Sequence, residues 1–137
     1  MKIYKIRKRI NNPLEKRNAI GWKNPFYEAT VNDKPLVSRM VDPERDSKKR
    51  GVVFAYGYHG LFPANLAVSL LCDFLELEDY SELFSETGYG KLANKFYEDF
   101  ICENTESSWQ ITEDQLWEYS AKIVEELEKE GLIREEV

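Results

Sequence analysis

The chain is predicted to be an α+β fold, a small antiparallel sheet from the N-terminal half packed by three C-terminal helices. Three observations predict it. Up to Tyr56, short β-branched and aromatic runs alternate with turn residues; after Pro63, apolar residues recur at helical spacing; and glycine clusters punctuate the change from one pattern to the other. Ile3 to Ile10 interleaves isoleucine and tyrosine with basic residues without a helical stripe, which predicts a first strand. Residues 11–25 are turn-rich. Phe26 to Val31 and Leu36 to Met40 read as a hairpin, with Asn32, Asp33, Lys34 and Pro35 supplying the turn chemistry between them. Val41 to Gly51 is a charged loop, and Val52 to Tyr56 reads as a buried strand bounded by the glycine turn Gly57, Tyr58, His59, Gly60.

Pro63 suits the first position of a helix, where its missing N–H has no intrahelical acceptor. Leu66, Ala67, Leu70, Leu71, Phe74 and Leu77 then form one face, and Val68, Cys72 and Leu75 widen it, which makes this helix central and also allows a homodimer. Leu92, Phe96 and Phe100, with Ala93, Tyr97 and Ile101 beside them, predict a second helix after the break at Gly88, Tyr89 and Gly90, with Cys102 on its polar side. Thr112 and Gln115 have the spacing of a capping box, and Leu116, Trp117, Ile123, Val124 and Leu127 form the stripe of a third helix. Gly131 is its expected C-terminal stop, with Leu132 placed for the accompanying apolar contact.

With 137 residues, 42% apolar and 13% aromatic, the chain fits one domain, residues 1–137, with enough apolar surface to offset the entropy of ordering it. The longest apolar run, Leu66 to Cys72, falls far short of the ~20 residues a membrane span needs, and the basic start leads to Asn11, Asn12 and Pro13 rather than an apolar signal core. A cytoplasmic protein without a membrane partner is expected. Cys72 and Cys102 are isolated and read as free thiols.

Charge is unevenly distributed. Residues 1–51 hold 14 Lys and Arg against 6 Asp and Glu, whereas residues 52–137 hold 5 against 19. Either the halves neutralise one another or they form two opposed functional faces.

The strand, glycine turn and helix start from Phe54 to Leu71 form the leading candidate site, because small residues let a ligand approach the backbone and a helix's first amides suit an anion. Its glycine spacing matches neither the dinucleotide fingerprint nor the phosphate loop. Tyr56, Gly57, Tyr58, His59 and Gly60 are the expected ligand-binding residues, helped by Lys5, Arg7 and Arg9 of a basic group that also holds Lys2 and Lys8, with Tyr4 and Trp22 to offer base stacking if the first strand and the loop before Gly51 share one side. A second basic group comprises Arg45, Lys48, Lys49 and Arg50; the overall acidity argues against avid nonspecific DNA binding. His59 is the one histidine, and no serine among Ser38, Ser69 and Ser81 pairs with it by pattern, so catalysis is not expected. Cys72, Cys102 and His59 lack zinc-site spacing, and Asp42, Glu44 and Asp46 lack the glycine and closing Glu of a calcium loop, so neither metal nor cofactor is expected. The third helix and tail are strongly acidic; Glu118, Glu125 and Glu128 mark a ridge that could dock on a basic protein groove.

From Phe54 to Leu71 the chain resembles an uncharacterised family, a domain of unknown function of bacteria and their phages, whose signature reads about Phe-Glu-Trp-Gly-Tyr-Gly-Gly-Ser-Gly-Pro-Ala-Gln-Leu-Ala. Phe54, Gly57, Tyr58, Gly60, Pro63, Ala64, Leu66 and Ala67 match; Ala55, Tyr56, His59, Leu61, Phe62 and Asn65 depart. A looser likeness continues through Phe96 to Phe100 and Trp109, Ile111 and Thr112. The resemblance implies a compact accessory domain carried by mobile elements and acting by binding one partner. The expectation is therefore a non-enzymatic phage or mobile-element accessory protein that binds stoichiometrically, with a nucleotide or other anionic small molecule as ligand. The alternative is an inhibitor whose acidic surface engages a host or defence protein; the third reading is a small enzyme using His59.

Overall fold

The computed structural model describes residues 1–9, 26–40, 54–84 and 88–131. The strands are β1 (Ile3–Arg9), β2 (Phe26–Val31), β3 (Lys34–Pro35) and β4 (Ser108–Thr112), ordered β3-β2-β1-β4 in one antiparallel sheet. The helices are α1 (Leu61–Leu75), α2 (Gly88–Phe96) and α3 (Glu113–Lys129), with a 3₁₀ turn at Tyr80–Phe84 and a π-helical stretch, Tyr97–Cys102, continuing α2. The α+β architecture stands as the residue pattern predicts. No helix of the described residues is long and apolar enough to cross a membrane.

Strand alternation divides the sheet into two chemically distinct faces. Tyr4, Ile6, Ala29 and Ile111 are buried beneath the helical layer, with Tyr27, Val31 and Trp109 packed at the margin. On this side lie Leu66, Leu70 and Leu71 of α1, Phe96 and Ile101 from the α2 region, and Leu116 of α3. The register Lys5↔Thr30, Arg7↔Glu28, Lys5↔Gln110 and Arg7↔Ser108 places those polar residues on the opposite face.

Several expected elements differ. The hairpin closes at Asn32 and Asp33, both at positive φ (50° and 65°), so Lys34–Pro35 is strand rather than turn. Leu36 to Met40 is not a strand beyond that point. The Arg39 amide donates to Ser69 Oγ at 3.0 Å, the Met40 amide to Asn65 Oδ1 at 2.9 Å, and Asn65 Nδ2 to Ser38 Oγ at 2.9 Å. Buried side chains of α1 thus take the place of a neighbouring strand. Phe54, Ala55 and Tyr56 are buried as expected but join no sheet; an apolar run alone does not separate a strand from an extended segment under helices. The fourth strand is instead Ser108–Thr112, a segment that the residue pattern did not mark as a strand.

Helix α1 begins two residues before Pro63, which still lies in the first turn, and ends where Glu76 turns left-handed at φ 54°, so Leu77 packs on the core from outside the helix. Gly88, Tyr89 and Gly90 open α2 rather than break the chain before it. Cys102 is buried rather than on a polar side, because the widened π turn rotates its end inward. In α3 both capping-box bonds are present, Gln115 N–H to Thr112 Oγ1 at 3.1 Å and Thr112 N–H to Gln115 Oε1 at 2.9 Å. Its buried stripe is Leu116, Ser120, Ile123 and Leu127; Trp117 and Val124, expected there, are exposed at 56% and 37%. Gly131 has φ +70° and its N–H donates to Glu128 O, as a helix stop requires. Leu132, the loop from Val41 to Gly51, Trp22 and the second basic group lie outside the described residues.

Candidate functional site

The glycine corner is exposed from Gly57 to Gly60, and two of its amides are already engaged. Gly57 N–H donates to Ile101 O at 2.8 Å, and Gly60 N–H donates to the Tyr97 hydroxyl at 3.0 Å. Gly57 needs to be glycine: its φ is +93°, and a Cβ there would stand 3.1 Å from Asn104 O. Tyr56 points inward. Its hydroxyl donates to Glu106 O at 2.7 Å, its ring lies edge-on to Tyr27 and Trp109, and burial pushes its ionisation up to about 12. Tyr58 is 46% exposed, and His59 stands edge-on to Tyr97 with ring centroids 5.7 Å apart. The corner therefore joins the buried Phe54–Tyr56 segment to α1 and leans on the π turn.

The three serines weighed against His59 are engaged elsewhere. Ser69 is fully buried in α1 and bonded to Asn65, Ser38 accepts from the same asparagine, and Ser81 belongs to the turn that Asp79 caps. Among the described residues no three His, Cys, Asp or Glu side chains converge on a metal position.

Lys5 and Arg7 stand together, but on the face of the sheet that no described helix covers. The corner belongs to the helical side, through Tyr56 against Tyr27 and Trp109 and through Gly57 against Ile101. The structure thus separates these two parts of the expected anion site by the thickness of the sheet. Arg9 ends β1 opposite Phe26. Each of the two cations also has an acidic neighbour: Lys5 Nζ lies 3.6 Å from Asp33 Oδ1, and Arg7 Nε pairs with Glu28 Oε2. Together with Thr30, Ser108 and Gln110 they line an open cavity of about 530 Å³. Local pattern did not mark Glu28, Thr30, Asp33, Ser108 and Gln110 as site residues, because only the pairing of β2 and β4 with the two edges of β1 brings them to one face.

On α3, Glu118, Glu125 and Glu128 are all exposed as expected, and Glu125 pairs with Lys129 at 3.2 Å. What the periodicity missed is the neighbour of this ridge. Trp117 and Val124, seven residues apart, share one flank with Glu128, four residues beyond Val124. The Trp117 ring is held edge-on against Phe74 at a centroid distance of 4.8 Å. On the other flank the Tyr119 hydroxyl donates to Asp99 at 2.7 Å and anchors α3 to the π turn; burial and that carboxylate push its ionisation upward. Comparison with protein-family models, with curated proteins and with solved structures finds no match to this chain.

Proposed function

We propose that this chain is a non-enzymatic binding protein that acts stoichiometrically through the outward face of α3 on a protein partner with a basic surface. The role would be an accessory one, directed against a host or defence protein in the cytoplasm. The observation that carries the reading is Trp117. It is 56% exposed, yet seated on Phe74, and the neighbouring turns carry Asp114, Glu118, Glu125 and Glu128. A large ring already restrained loses little freedom on docking, and surrounding carboxylates steer a basic partner and fix its register.

An anionic ligand at the glycine corner has less support, since the Gly57 and Gly60 amides bond within the chain and Lys5 and Arg7 stand across the sheet. The experiment is capture of partners from host cytosol on immobilised protein. Glu118→Lys/Glu125→Lys/Glu128→Lys and, separately, Trp117→Ala should each abolish retention of the partner, while Lys5→Ala/Arg7→Ala/Arg9→Ala should retain it. A partner that survives both changes in α3 overturns the reading.

A further inference from the structure

The polar sheet face, which no described helix covers, is separate from the outward face of α3 and has its own chemistry. Along β1, Lys5 and Arg7 are two residues apart on one side, so their Cα atoms are separated by ~7 Å. On the β2 side they face carboxylates, Glu28 directly opposite Arg7 and Asp33 near Lys5, with Thr30 between. On the β4 side they face uncharged hydrogen-bonding groups, Ser108 opposite Arg7 and Gln110 opposite Lys5. The face is thus ordered across the strands as negative, positive, neutral. Its cavity of about 530 Å³ lies within the ~300–1,000 Å³ of small-molecule sites.

From this ordering we infer that the polar sheet face binds a zwitterionic ligand of dipeptide size. A simple anion would meet two cations already balanced by two carboxylates, and a simple cation would meet the reverse. A molecule with both charges satisfies each row. Its carboxylate sits between β1 and β4, taking donors from Lys5, Arg7 and Gln110, and its ammonium sits over Thr30 between Glu28 and Asp33. The groups have the capacity: a guanidinium carries five N–H donors, an ammonium three, and each carboxylate oxygen accepts more than one bond. The two seats are about one and a half strand spacings apart, or ~7 Å. An extended dipeptide spans ~7 Å between its termini, whereas a single amino acid is too short to reach both. Lys5 and Asp33 are 52% and 86% exposed, and an exposed pair of this kind is weak because water screens it, so rearranging it around a ligand costs little.

The probe is alanyl-alanine, titrated into the full chain and followed by amide resonances and calorimetry. Saturable shifts are expected at Lys5, Arg7, Thr30 and Gln110, and not on the outward face of α3. The N-acetylated dipeptide and the dipeptide amide, each lacking one charge, should bind more weakly by up to about fivefold, the factor corresponding to one exposed charge pair. Arg7→Gln should weaken binding similarly; Thr30→Val, which keeps a strand-forming residue, serves if Arg7→Gln does not fold. Absence of a saturable shift with alanyl-alanine, equal binding of a blocked form, or binding unchanged in a folded variant overturns the inference.

Discussion

Gly57 and Gly60 flank one corner but answer to different constraints. At Gly57 the backbone is at φ +93° and backbone oxygen of Asn104 occupies the space a Cβ would need. Gly60 is extended, with φ 169°, and a Cβ there would meet the side-chain ring of Tyr58 rather than backbone. Gly57→Ala should therefore cost about 1–3 kcal/mol in urea unfolding and Gly60→Ala less than about 0.5 kcal/mol. Equal losses at the two positions would show that the left-handed backbone is not the controlling factor. The turn itself was legible in the sequence, since glycines at 57 and 60 bound a change from buried strand-like residues to helical spacing. Which glycine bears the constraint was not legible, because Asn104 reaches the corner only through the π turn. Trp117 is the converse case. Periodicity assigned it to the buried stripe, but a residue one place from Leu116 lies at the edge of that stripe, and the packing of Phe74 against one side of its ring leaves the rest exposed.

Among the elements, α3 was the most legible, because its start signal is local: Thr112 and Gln115 satisfy each other's backbone amides without help from the rest of the fold. Thr112→Ala should lower the unfolding free energy by about 1 kcal/mol, a typical loss for such a cap, read as a reduced urea midpoint with an unchanged slope. An unaffected midpoint would mean that tertiary contacts alone hold the helix start. β4 was illegible for the opposite reason. Ser108–Thr112 is short, and what makes it a strand is the edge of β1, about a hundred residues earlier in the chain. The expected second strand of the hairpin failed similarly. Pro35 permits only a brief pairing, and beyond it Asn65 and Ser69 of α1 capture the backbone of Arg39 and Met40.

For the molecule as a whole, buried phenols tie stability to alkaline pH. Tyr4, Tyr56 and Tyr119 are all pushed upward, Tyr4 and Tyr119 by burial and neighbouring carboxylates and Tyr56 chiefly by burial. Folded-state values above the unfolded value of about 10 mean that the unfolded chain releases these protons first. Their contribution is complete below about pH 10 and is lost as pH rises through the folded values, reached for Tyr56 at about 12. Urea midpoints should fall above about pH 10, and less steeply in Tyr56→Phe; an identical slope in that variant would exclude Tyr56 as a contributor. Among the described residues, Lys2 reaches Asp73 across the two halves at 3.3 Å, Lys5 and Arg7 pair within their own half, and Glu118, Glu125 and Glu128 of α3 are exposed. By itself the sequence determined the α+β class, the three helices, the α3 cap and the position of the glycine corner, because periodicity, capping and turn chemistry act over a few residues. Tertiary structure alone decided that β4 completes the sheet, that Lys5 and Arg7 stand across it from the corner, and that Trp117 borders the acidic ridge. Those outcomes depend on strand register and on which helix packs where, contacts between residues far apart in the chain that no local spacing encodes.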